Sequence, residues 1–166
     1  DIGKVEKFKQ SYKKTPDVIR CLCNLFDEYE VPATWAIVTH LLQDCNSKEA
    51  HSTRPSPDFS WIDDWFAQLP CVTGVERDLW CMPELLEIIQ SCNTRQEIGL
   101  HGSTHMPLGA PGCSKQNAHD EIKDGVETLL SHGIEPKSFV YPRNDIGHVD
   151  ILSQYGIRTY RGVDAR

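Results

Sequence analysis

The sequence predicts an α/β fold of parallel strands alternating with helices. Three observations carry this. Short apolar strand patterns recur near 34–38, 97–100, 138–141 and 157–160. Segments with helical spacing separate them, and Pro or Gly closes nearly every one. Strict alternation of this kind argues for right-handed βαβ units on a parallel sheet or barrel. With 166 residues the chain fits one domain, 1–166, able to bury a sizeable core.

In chain order, Lys4 to Lys14 reads as a solvated helix face. Thr15-Pro16-Asp17 then offers a capping hydroxyl, a first-turn proline and an acid ahead of Val18, Ile19, Leu22, Leu25, Phe26 and Tyr29, which recur at helical spacing. Glu30-Val31-Pro32 ends that helix. Ala33-Thr34-Trp35-Ala36-Ile37-Val38 follows as a continuous apolar strand of the sort buried on both faces. His40, at the end of this strand, is either a site residue or a capping or partly buried histidine.

From Gln43 to Trp80 the regular pattern stops. Trp61, Trp65, Phe66 and Trp80 carry too much aromatic surface for a disordered loop. The stretch reads as an ordered excursion over one face of the sheet, either a wall of a substrate groove or a packing flap. Pro83 opens a helix carrying Leu85, Leu86, Ile88 and Ile89, and the strand 97–100 leads out of it. Gly109 to Gly112 is a turn. Ile122, Val126, Leu129 and Leu130 mark a helix that stops at Gly133, and Ser138-Phe139-Val140-Tyr141 is a strand broken by Pro142. Val149, Ile151, Leu152 and Tyr155 make a short helix closed by Gly156, before a last strand at 157–160.

Composition excludes several classes. Hydrophobic residues at 39% and charged residues at 25% are ordinary for a globular protein, and no apolar run approaches a bilayer-spanning length. The opening residues lack the apolar core of a signal peptide, so a cytoplasmic location is expected. A net charge of −7 argues against a nucleic-acid footprint. Cys21, Cys23, Cys45, Cys71, Cys81, Cys92 and Cys113 are odd in number, irregularly spaced and without a Cys-x-x-Cys pair. Reduced, mostly buried thiols are therefore expected, rather than a zinc knuckle, a thioredoxin-like motif or a disulfide framework.

Chemistry is expected at Glu97-Ile98-Gly99-Leu100-His101-Gly102-Ser103-Thr104-His105-Met106-Pro107. A buried strand opens here into a loop at the carboxyl edge of the sheet, where α/β proteins bind ligands. His101 and His105 are four residues apart, a spacing that lets two neutral imidazoles reach one divalent cation. Solvated or capping histidines produce the same spacing.

Three blocks, Val31-Pro32-Ala33-Thr34-Trp35-Ala36, Glu97 to His105, and Ser138-Phe139-Val140-Tyr141-Pro142-Arg143-Asn144, together resemble the polysaccharide deacetylases of carbohydrate esterase family four, the NodB-homology domains. The resemblance implies a distorted, incomplete (β/α) barrel and a divalent metal, most often Zn2+, held by an Asp and two histidines that match His101 and His105. It implies metal-assisted hydrolysis of N- or O-linked acetyl groups on a carbohydrate, with Tyr141, Arg143, Asn144 and Trp80 as substrate-contact candidates. The motif supplying the Asp ligand and catalytic base is expected ahead of Asp1, and the late motifs supplying the general acid beyond Arg166, so neither proton-transfer group is assigned within the chain. Gly102 stands where the family has Ser or Thr. Val140 stands where it has the arginine that orients the base, and Arg143, three residues on, is a possible support. A non-catalytic glycan- or partner-binding homologue and a metal-dependent amidohydrolase acting on a small molecule remain alternatives.

Overall fold

The computed structural model describes residues 2–45, 51 and 54–162. Two helices open the chain, α1 (Ile2–Tyr12) and α2 (Thr15–Glu28). They nearly abut, so the backbone at Lys14 is already helical (φ −88°, ψ −1°) and no side chain caps α2. Thr15 therefore lies inside the helix and does not cap it as its sequence context suggests. Pro16 still occupies the first turn, where its missing N–H has no partner to lose.

Strand β1 (Thr34–Ile37) follows, then the excursion, whose regular structure is a few short 3-10 turns and the single-turn helix α3 (Pro70–Thr73). The chain returns through α4 (Glu84–Gln90) to β2 (Glu97–Leu100), α5 (Lys115–Ser131) and β3 (Ser138–Val140). It then runs through α6 (Val149–Leu152) to β4 (Thr159–Arg161). Helix α5 begins on a capping box. Ser114 Oγ accepts from the Asn117 amide at 3.1 Å, and Asn117 Oδ1 accepts from the Ser114 amide at 2.9 Å.

The four strands form one parallel sheet in the order β1-β2-β3-β4. Central β2 buries Ile98, Gly99 and Leu100, and β3 buries Phe139 between half-buried Ser138 and Val140; Leu100 and Phe139 are fully covered. The outer strands do not. Thr34 is exposed with Trp35, Ala36 and Ile37 half-buried, and β4 is exposed along its length, so the doubly buried reading of the first strand is corrected. Among the described residues each outer strand has a neighbour on one side only. The core runs from β2 and β3 into α5 and α6, through Ile122, Val126, Leu129 and Ile151. Gly125 permits the close approach of α5 to β2, because a Cβ there would stand 2.7 Å from Leu100 Cδ1. No helix among the described residues is long and apolar enough to cross a membrane.

Candidate functional site

Beyond its last paired strand residues the β1–β2 ladder continues into the loops. His101 N donates to Ile37 O at 2.8 Å, Thr39 N to Gly102 O at 3.1 Å, and His40 N to Ser103 O at 2.9 Å. The histidine segment thus leaves the carboxyl edge of the sheet as a backbone-anchored loop. His101 reaches across to the next strand, where its Nδ1 stands 2.7 Å from Val140 O. A carbonyl only accepts, so Nδ1 carries a proton, and in the neutral tautomer this selects Nε2 holds the lone pair. His105 turns its ring toward His101, with centroids 4.8 Å apart and planes at 66°.

The backbone of His105 is in the left-handed region (φ 65°), as are those of Arg143 (φ 58°) and Asn144 (φ 55°) in the loop after β3. Such conformations cost a non-glycine residue about 1 kcal/mol or more and persist where surrounding contacts fix them. Burial pushes the His105 imidazole down from its ordinary value, and the charges of His101 and Arg143 act in the same direction. A neutral imidazole is the form that binds metal.

Beneath the loop lies Glu121 of α5, fully buried. Its carboxylate accepts from the Thr104 amide, from Thr104 Oγ1 at 2.9 Å and from the Met106 amide at 3.3 Å. It is paired with Arg54 Nη2 at 3.1 Å. Gly102 (φ +78°) is needed here on two counts, since a Cβ would also meet Glu121 Oε1 at 2.9 Å. That accounts for the Gly where the resembled family carries Ser or Thr. Arg54 also pairs with Asp124 at 3.1 Å and lies 4.8 Å above the Phe66 ring.

The excursion covers this edge. Trp65 Nε1 donates to Thr104 Oγ1 at 2.8 Å, and Phe59, Trp61 and Trp65 form an aromatic cluster with centroids 5.0 to 5.9 Å apart. The Arg143 guanidinium lies 4.7 Å from the centroid of Trp61, which is 49% exposed and also stacks on Phe59. Asn144 is exposed, and its amide oxygen accepts from Arg161. Of the residues expected to contact substrate, Arg143 and Asn144 therefore stand at the histidine edge.

The other two occupy packed positions. Tyr141 shares a strand face with Phe139 and is 1% exposed, edge-on to Phe139 and Tyr160. Burial, followed by the nearby Tyr160 and Asp150, pushes its phenol up to about 12. Trp80 is buried and stacks on His40 with centroids 5.0 Å apart and planes within 10°.

That stack belongs to a second constellation, absent from the expectations drawn from sequence. His40, Cys45, His51 and Cys71 bring one ligand atom each to within 4.8 Å of one another and could hold a metal ion. His40 Nε2 is 3.3 Å from Cys71 Sγ, and His51 Nε2 is 3.1 Å from Cys45 Sγ and 3.3 Å from Cys71 Sγ. Burial, with the charges of His51 and Arg54 adding to it, lowers His40 to about 4. Burial, reinforced by Cys45, raises the Cys71 thiol to about 12. The available signal was a histidine at a strand end followed by Cys and His inside an irregular aromatic loop; no short Cys-Cys spacing announces it. None of the seven cysteines forms a disulfide.

A cleft of about 710 Å3 opens at the opposite edge of the sheet among Pro32, Thr34, Arg95, Glu97 and Lys137. It holds no histidine or cysteine. A smaller cleft of about 350 Å3 lies beside the histidine edge, lined by His51, Arg54, Asp63, Asp64 and Phe66. The paired histidines His101 and His105 and the cluster of His40, Cys45, His51 and Cys71 lie away from the lining of the larger cleft. No family model and no curated protein matches the chain.

Proposed function

We propose that the edge formed by His101, His105 and Arg143 is the centre of a metal-dependent hydrolase that removes N- or O-linked acetyl groups from a polysaccharide or sugar, within a NodB-like (β/α) barrel. The observation that carries the reading is the hydrogen bond between His101 Nδ1 and Val140 O, 2.7 Å long, which fixes the tautomer and leaves Nε2 to ligate beside His105. His101 and His105 would hold the cation, which the nitrogen donors in the set assign as zinc. When bound, it supplies Lewis acidity toward an acyl carbonyl. Arg143, held on the Trp61 ring, keeps a fixed positive charge near the same edge, suited to an oxygen that gains negative charge during acyl transfer. The half-exposed Trp61 ring suits apolar contact with a sugar.

A second reading, a glycan-binding homologue without catalysis, is favoured by one observation. Among the described residues no third His, Cys, Asp or Glu joins His101 and His105. Acetate release from acetylated oligosaccharides by the full-length protein, compared with its His101→Ala and His105→Ala variants, separates the two. Loss of a group that only hydrogen-bonds to a metal ligand costs about 10- to 100-fold, so loss of either ligand is expected to cost about 100-fold or more. Zinc binding is followed through the two imidazole 15N resonances, which keeps this pair distinct from the cysteine-containing cluster. Zinc and glycan binding without acetate release would select the second reading. Unchanged activity and unchanged imidazole resonances in zinc would overturn both.

A further inference from the structure

We infer that His40, Cys45, His51 and Cys71 form a closed Cys2His2 structural zinc site that pins the excursion to the end of β1. Tetrahedral zinc with bonds of about 2.3 Å to sulfur and 2.0–2.1 Å to nitrogen sets its ligand atoms about 3.3–3.8 Å apart. Three of the four sulfur–nitrogen separations are 3.1, 3.3 and 3.3 Å, and all four donor atoms fall within 4.8 Å of one another. Shifts of a few tenths of an ångström in these three contacts, and of about 1 Å at most in the widest separation, bring the set to that geometry.

Hydrogen bonding alone gives little reason for this convergence. A thiol is a weak donor with a single proton, yet Cys71 Sγ faces two imidazole nitrogens at once. A cation at the common centre satisfies all four atoms together. Two thiolates and two imidazoles select a borderline-soft ion such as zinc over magnesium or calcium, which take oxygen ligands.

Burial distinguishes this centre from a catalytic one. His40, Cys45 and His51 are each at most 9% exposed, Trp80 stacks on His40, and Phe66 lies parallel to His51 at 6.1 Å. Four protein ligands leave no coordination position for a substrate, which is the mark of a structural site. The placement says what it fastens. His40 leaves the end of β1, hydrogen-bonded to the histidine loop through Ser103, whereas His51 and Cys71 bracket the stretch carrying Arg54, Trp61 and Trp65. The ion therefore ties that aromatic wall to the sheet edge. This stands independently of the proposed hydrolase.

The test uses cobalt(II) as a spectroscopic replacement for zinc in the full-length protein, with zinc content of the purified protein measured alongside. One equivalent of cobalt should give tetrahedral ligand-field bands and a thiolate-to-cobalt charge-transfer band. His101→Ala should retain both, and Cys45→Ser or Cys71→Ser should lose the charge-transfer intensity. Because those serine variants can fail to fold, the wild-type protein supplies a second measurement. Cys45 and Cys71 should resist alkylation until a chelator is added, then react at least tenfold faster. A Cys45–Cys71 disulfide in the non-reduced peptide map, no thiolate-to-cobalt band, or alkylation indifferent to chelator would overturn the assignment.

Discussion

Glu121 decides the shape of the histidine loop, because one buried carboxylate gathers two backbone amides, a hydroxyl and the Arg54 guanidinium. Removing it leaves Arg54 with Asp124 as its remaining carboxylate partner and the Thr104 and Met106 amides without their acceptor. Glu121→Ala is therefore expected to destabilise the protein by about 3–5 kcal/mol, as for other broken buried ion pairs. Glu121→Gln keeps one acceptor and the side-chain volume, and should cost about 1–3 kcal/mol. Urea unfolding of both variants checks the order, and equal midpoints for Glu121→Ala and wild type would contradict this role. The residue was invisible in sequence for a physical reason. A glutamate among Ile122, Val126 and Leu129 on an amphipathic helix normally faces solvent, and only the tertiary approach of the loop gives it partners. His101 and His105 were legible because strand end and ligand spacing coincide in one short segment. Arg143 was legible from the Pro that ends the preceding strand, but Tyr141, two residues after Phe139, fell on the core side of the same strand.

At the scale of elements, the alternation of strands and helices was readable because each strand is short and apolar and each helix carries its own period and stop signal. Burial was less so, since an apolar run such as Trp35-Ala36-Ile37 does not reveal whether its strand lies inside a sheet or at its margin. The loop between α4 and β2 adds a contact that sequence could not supply. Asp27 of α2 accepts from the Asn93 amide at 2.9 Å and the Thr94 amide at 2.7 Å. Those two backbone hydrogen bonds, Asn93 first, hold its carboxyl below the ordinary aspartate value. The lowered pKa means the unfolded chain binds the proton more readily, so this contribution is complete above the unfolded aspartate pKa of about 3.9 and is lost as pH falls through the folded value. Asp27→Asn should lower the denaturation midpoint at neutral pH, and its difference from wild type should shrink below about pH 4. A difference independent of pH would show that these hydrogen bonds do not favour the ionised form. Packing gives a companion prediction: Gly125→Val, forced against Leu100, should cost about 1–3 kcal/mol in the same assay.

For the whole molecule, neighbouring strand ends share one edge: β1 delivers His40, β2 delivers His101 and His105, and β3 delivers Arg143 and Asn144. The excursion spans that edge through separate ties. Asn117 Nδ2 donates to Pro55 O at 2.6 Å, Trp65 to Thr104, and Arg54 pairs with Glu121. The cysteine–histidine cluster escaped the sequence reading because its members lie five, six and twenty residues apart, and only folding makes them neighbours. If zinc is its ligand, the metal closes loops that otherwise cost chain entropy, and its binding adds directly to folding free energy. At a thousandfold excess over the dissociation constant that amounts to about 4 kcal/mol. For a domain of this size it raises Tm on the order of 10 °C. Chelation should reverse the gain unevenly. Amide hydrogen exchange should accelerate across residues 54–72, where few backbone bonds reach the sheet, while β2, β3 and α5 keep their protection. Exchange measured with and without chelator, in wild type and in Cys71→Ser, gives the comparison. The variant should show the fast pattern in both conditions. Equal protection of residues 54–72 in metal-loaded and chelated wild type would mean that the aromatic wall is held by packing and hydrogen bonds alone.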